Sequence, residues 1–201
     1  MFSSLAYRNF LYLILGQTTH AGALWLDMVA RPLLVLTITG SPVHLGLVMA
    51  TRTVPTMAFG VLAGVIADNF DRRTVLLTTK FSVLVLSVIF AALVVSGLIQ
   101  LWQIYFFTFL RGVTMAFDQP ARRAMIPSLV PKYLVTNAMA LSSGSIQIMR
   151  IVGAGGAGLI IALGGLELVF ITITFFYAAA VILTWILQVP PHVRPGYQGL
   201  R

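Results

Sequence analysis

Long apolar runs, separated by short polar or glycine-rich breaks, make up most of this chain. They lie near 9–36, 44–68, 74–96, 101–118, 134–162 and 167–188. Each is close to or above the roughly 20 residues a helix needs to cross a hydrocarbon layer. The breaks carry Gly40-Ser41-Pro42, Asp68-Asn69-Phe70-Asp71, Ser96-Gly97, Asp118-Gln119-Pro120 and Gly164-Gly165, residues that interrupt regular backbone. The pattern predicts an all-α membrane protein, a six-transmembrane-helix bundle over residues 1–189, with only the connection near 119–133 longer than a tight turn. The first run is too long for the apolar core of a signal peptide and is expected to remain as a span.

Composition agrees with lipid as the main solvent. Charged residues make up 9% of the 201 residues and hydrophobic ones 59%, against about 25% charged in soluble domains. The net charge of +8 does not indicate nucleic acid, because the basic residues occur singly or in pairs with no soluble platform to display them. It carries topology instead. Arg8 precedes the first span, Arg72 and Arg73 lie between the second and third, and Arg122, Arg123 and Lys132 lie between the fourth and fifth. Arg194 and Arg201 follow the sixth, and the other three connections have no Lys or Arg. Basic loops stay on the cytoplasmic side, so both termini are expected in the cytoplasm, in a multi-pass protein of the plasma membrane, the bacterial inner membrane.

Cysteine is absent, which excludes disulfides and thiolate sites. No zinc motif, phosphate loop or nucleophile elbow is present, and the three histidines are not placed for haem ligation. The sequence therefore offers no enzyme, metal or cofactor.

Charged groups inside the spans are costly and usually functional. Asp27, Arg31, Arg52, Arg111 and Arg150 stand out. Gln17, His20, Asp27 and Arg31 share one helical stripe, and Thr108, Arg111, Met115 and Asp118 form another. Ser143, Gln147 and Arg150 form a third on the fifth span. Four arginines face one aspartate in this group, so internal pairing leaves positive charge for a substrate, water or an outside partner. Arg52, Arg111 and Arg150 are expected to wall a polar cavity, with Asp27 as a candidate proton carrier. Gly60 and Gly64, and Gly153, Gly155 and Gly158, are expected to allow close helix packing.

The segment Gly64-Val65-Ile66-Ala67-Asp68-Asn69-Phe70-Asp71-Arg72-Arg73 resembles the signature loop of the major facilitator superfamily. Arg52-Thr53-Val54-Pro55, Arg111-Gly112, Phe117-Asp118, Pro120-Ala121-Arg122-Arg123 and Ile126-Pro127 look like the branch that includes enterobactin exporters and macrolide-efflux proteins. The resemblance implies the amino-terminal half of a major facilitator fold, completed by a missing carboxy-terminal six-helix bundle, with residues 190–201 starting the central cytoplasmic loop. It also implies a conformational latch of Gly64, Asp68, Arg72, Arg73 and Asp118, in which Asp68 faces the second bundle and Arg72 pairs with Asp118. Asn69 and Ala154 depart from the family pattern, at a usually basic position and a usual proline.

The function expected is half of a secondary active transporter, proton-coupled, exporting a small amphipathic or anionic metabolite, siderophore or drug. An importer of the same fold, or a self-assembling six-helix protein with a structural or regulatory role, are the alternatives.

Overall fold

A computed structural model describes residues 3–69 and 71–187, with backbone alone at 61 and 63–69. Five helices account for nearly all of it: α1 (Arg8–Thr39), α2 (Pro42–Asn69), α3 (Arg72–Val95), α4 (Leu101–Leu129) and α5 (Val135–Ile186). No strand occurs among the described residues.

Local chemistry sets the helix ends. Gly40 closes α1 in the left-handed region at φ 61°, its N–H bonded to the Leu36 carbonyl at 2.8 Å. Asp71 caps α3, accepting from the Thr74 N–H at 2.9 Å and the Thr74 hydroxyl at 2.7 Å, so an otherwise unpaired first-turn donor is satisfied. Gln100 and Gln103 cap α4 reciprocally. Inside α5, Gly164 and Gly165 leave helical geometry, and Gly165, at φ 73° and ψ −171°, takes a backbone conformation open to glycine alone. The 52-residue element is thus two helical arms joined at a kink.

Helices Arg8–Thr39, Arg72–Val95 and Lys132–Ile186 are long and apolar enough to cross a membrane. The last, at 55 residues, has length for two passes at about 1.5 Å per residue. α2 and α4 have 28 and 29 residues, and α4 is made more polar by Arg111, Asp118, Arg122 and Arg123.

The expected break at 118–120 is corrected by the structure: α4 continues through Pro120 and Pro127 to Leu129. Proline removes one helical N–H but does not end a helix whose next turns are held by packing. Ala121, Met125 and Ile126 are essentially fully buried, and Arg122 reaches back to Asp118 one turn earlier. The connection shrinks to residues 130–134, which hold a short turn at Lys132–Leu134.

α1 packs along α5, α2 along α4, and α3 against both α4 and α5. Two apolar clusters form the core. One gathers Phe10, Leu13, Leu76, Met125, Leu129 and Leu187, and the other Leu26, Leu34, Phe90, Phe107, Phe170 and Tyr177. Because apolar burial drives little association between helices in lipid, close approach matters more. A Cβ on Gly112 would lie 2.5 Å from the Arg52 carbonyl oxygen, and one on Gly153 would lie 2.8 Å from Trp25 Cβ. These two glycines set the α2–α4 and α1–α5 spacings.

Ser4 Oγ donates to Asn137 at 2.7 Å, Arg72 to the Ala124 carbonyl at 2.7 Å, and Arg73 to the Trp185 carbonyl at 2.8 Å. These contacts gather the start of α1, the α2–α3 and α4–α5 connections and the end of α5 at one end of the bundle. His44 and Tyr105, 3.0 Å apart, mark the other. The 190–201 tail and the side chain of Asp68 lie outside what is described, and Gly64 is described by its helical backbone alone.

Candidate functional site

Asp27, two turns along from His20 on the same face of α1, is 4% exposed and holds two arginines. Arg31, one turn on, places Nη2 2.7 Å from Oδ1 and Nε 3.1 Å from Oδ2. Arg111 comes from α4 and places Nη1 2.7 Å from the same Oδ1. The carboxylate therefore takes a bidentate arginine and a second cation from another helix, the strongest class of charge-assisted contact. Arg31 also lies 4.0 Å above the Phe90 ring and reaches Thr108 Oγ1 at 3.4 Å. Arg111 donates to the Tyr177 hydroxyl, and Tyr177 in turn packs edge-on against His20, with centroids 5.1 Å apart.

Arg52 completes this layer differently. It contacts the sulfur atoms of Met28 and Met115, and among the described residues no carboxylate lies within 4.0 Å of it. Asp27, Arg31, Arg52, Thr108 and Arg111 line a common narrow cleft with Met28 and Met49. Three guanidinium groups and one carboxylate give that cleft a formal charge of +2 (3 − 1). A charge left over in a low-dielectric site draws an anion strongly.

A second polar layer lies toward the Arg72 end. Lys80 on α3, 2% exposed, sits 3.2 Å from Asp118 Oδ1 on α4, and Arg122 Nε sits 3.4 Å from Oδ2. Neither contact is aligned as a hydrogen bond. Gln17 clamps α1 to α5 by donating to the Ser142 carbonyl at 2.7 Å and accepting from the Ser142 hydroxyl at 2.8 Å. A cavity of about 310 Å³ opens between these helices.

The structure brings together Asp27, Arg31, Arg52 and Arg111 but not Arg150. Arg150 is exposed on α5, over the Trp25 ring at 5.2 Å, and Gln147 is exposed beside it. Asp118 pairs with Lys80 and Arg122, while Arg72, which the resemblance paired with it, bonds the Ala124 carbonyl. Arg73 takes the Trp185 carbonyl. Of the expected packing glycines, Gly153 is tightly enclosed, whereas a Cβ on Gly60, Gly155 or Gly158 would meet nothing within 4 Å. Sequence reasoning missed Lys80, a lone charge inside the third apolar run and visible as such. It also missed Gly112 as a contact point and Tyr177 as a partner of Arg111, which no local pattern signals.

Residues 1–197 match the family described as transmembrane secretion effector. The chain is 32% identical over 160 residues to the staphyloferrin A transporter of Staphylococcus aureus, covering 79% of this chain and 40% of that protein. It is 26% identical over 180 residues to the uncharacterized MFS-type transporter YfiS of Bacillus subtilis, covering 88% and 42%. Macrolide efflux protein A of Streptococcus pyogenes is 25% identical over 122 residues, covering 61% and 30%. The chain spans about two fifths of the length of the first two of these relatives.

Proposed function

The chain belongs to the transmembrane secretion effector family of major-facilitator transporters, a multi-pass membrane protein, and from that premise we propose that it is the amino-terminal six-span half of a proton-coupled exporter. Its cargo is a small amphipathic or anionic metabolite, siderophore or drug. α1 to α4 each cross once and the two arms of α5 cross once each, which returns both ends to the cytoplasm. The clustering of Arg8, Arg72, Arg73, Arg122, Arg123 and Lys132 toward one end supports that orientation. A second six-helix bundle faces Gln147 and Arg150 and closes the passage.

The observation that carries the reading is the single Asp27 carboxylate tying α1 to α4 through Arg111. A proton on Asp27 releases both arginines, and its loss restores the tie, so proton occupancy selects between two helix arrangements. Alternation of the two arrangements links proton entry from outside to cargo exit. The staphyloferrin and macrolide relatives support the cargo class.

The test is flux in everted vesicles carrying the protein together with its second bundle. Accumulation of a labelled macrolide or siderophore is expected under an imposed pH gradient, and a protonophore is expected to abolish it. Asp27→Asn should lose the gradient-driven part, while exposed Trp102→Phe keeps it. Gradient-driven flux unchanged in Asp27→Asn removes the proton role. Accumulation in right-side-out vesicles alone makes the protein an importer.

A further inference from the structure

We propose that the 310 Å³ cavity at the Arg72 end of the bundle, lined by His20, Trp25, Lys80, Asp118 and Arg122, is a binding site for an amphipathic organic carboxylate. The proposal concerns a layer distinct from the Asp27 cleft. It rests on the transport reading only for the step at which cargo enters from the cytoplasm.

Buried polar atoms in folded proteins are nearly all hydrogen-bonded, so several orphans around one cavity call for an occupant. Here His20 Nδ1, Trp25 Nε1, Lys80 Nζ and Arg122 Nε are buried side-chain atoms with no hydrogen-bond partner, and so is one acceptor, Asp118 Oδ1. Lys80, at 2% exposure, is the most deeply placed of them. The indole, ammonium and guanidinium atoms are donors only, and neutral imidazole can supply a further N–H. With up to four donors against the one acceptor Asp118 Oδ1, an occupant that brings acceptors satisfies the larger share.

Charge narrows the class. Lys80, Arg122 and Arg123 face Asp118 alone around the cavity, a formal +2 (3 − 1). Asp118 lies 3.2 Å from Lys80 without an aligned hydrogen bond, which leaves the ammonium protons free to turn toward a second oxyanion. An anion seated there gains both the surplus charge and the unused donors. Gln17, Gln119, Ser142 and Ser143 add neutral polar groups to the wall, and Leu24, Met115, Ile126 and Ile146 form an apolar surface that a small inorganic ion cannot cover. A volume of about 310 Å³ falls at the lower end of small-molecule pockets. The fitting ligand has one carboxylate on a compact apolar or aromatic body.

Labelled benzoate is the probe, measured by scintillation proximity on the full chain in nanodiscs of zwitterionic lipid, where no gradient and no transport are needed. Saturable binding is expected, displaced by unlabelled benzoate, but poorly by neutral benzamide and poorly by inorganic phosphate. Lys80→Gln should weaken binding about tenfold, the worth of one charged hydrogen bond. Trp25→Phe, which deletes the N–H and keeps an aromatic though smaller ring, should weaken it about threefold. Asp118→Asn should tighten it, a gain that a purely structural role for Lys80 and Asp118 cannot produce.

Benzamide competing as well as benzoate reduces the site to an apolar pocket and overturns the proposal. Phosphate competing as well as benzoate makes it a bare oxyanion site and overturns it too. So does benzoate affinity unchanged in both Lys80→Gln and Trp25→Phe. Binding with these signatures alongside pH-independent flux would leave this site standing and remove the proton reading instead.

Discussion

Arg111 on α4 and Asp27 on α1 meet at 2.7 Å in the interior of the bundle, and the same carboxylate also holds Arg31. Removing the carboxylate strands two guanidinium groups, whereas removing Arg111 leaves Asp27 still paired. Asp27→Ala is therefore expected to cost about 3–5 kcal/mol, as for a broken buried ion pair, and Arg111→Met clearly less. Thermal melting of the detergent-solubilised protein gives the order. Equal losses would mean that Arg31 does not hold Asp27 alone.

Gly112 stands at a close approach of α2 and α4, with the Arg52 carbonyl and Pro55 Cγ each 2.5 Å from the place of a Cβ. Both obstacles belong to stiff parts of the chain, so Gly112→Ala must push the helices apart and move Arg52. A loss of about 1–3 kcal/mol is expected, as for overpacking, while Gly60→Ala, which meets nothing within 4 Å, should be near neutral. Comparison of melting temperatures tests this directly.

Asp118 takes Lys80 and Arg122 as partners in this conformation. Charge reversal should follow that geometry. Lys80→Asp and Asp118→Lys are each expected to reduce the folded yield, and the double variant to recover part of it, because opposite charges again face each other. Arg72→Asp with Asp118→Arg should show no such recovery. Size-exclusion profiles of the variants decide the matter, and recovery by the Arg72 pair alone would contradict the partners seen here.

At the α3 N-terminus, burial nudges the Asp71 carboxyl upward, but its bonds from the Thr74 hydroxyl and N–H and the nearby Arg73 hold it below its usual 3.8. A depressed folded value means that the cap's contribution is present above the unfolded value and fades as pH falls through the folded one. Protection of the first-turn amides of α3 against hydrogen exchange should therefore decline in acid. Asp71→Ala should lose about 1 kcal/mol at neutral pH and show no such decline. Asp71→Asn should retain most of the cap.

Much of the candidate site was legible because charge inside an apolar run is expensive wherever it falls, so Asp27, Arg31, Arg52 and Arg111 announce themselves. The helical stripes that carry Asp27 and Arg31 on α1, and Thr108 and Asp118 on α4, lie on buried faces. Arg150 carried the same signal, yet it lies exposed on α5, because periodicity says that a face is polar without saying which neighbour covers it. Pro120 misled in the opposite direction: a breaker by local chemistry, it is overruled by the burial of Ala121, Met125 and Ile126.

The sequence by itself determined the all-helical build, the breaks at Gly40, Ser96-Gly97 and Gly164-Gly165, and the gathering of basic residues at one end. All of these follow from chain-local costs: unpaired backbone in lipid, turn conformations open to glycine, and the energy of moving charge across a membrane. Only the tertiary structure decided that Arg111 joins Asp27, that Asp118 takes Lys80, that Gly112 seats the Arg52 carbonyl, and that donors without an aligned hydrogen bond surround one cavity. Pairings between helices depend on their relative rotation and height, which residues tens of positions apart fix jointly and no single stretch encodes.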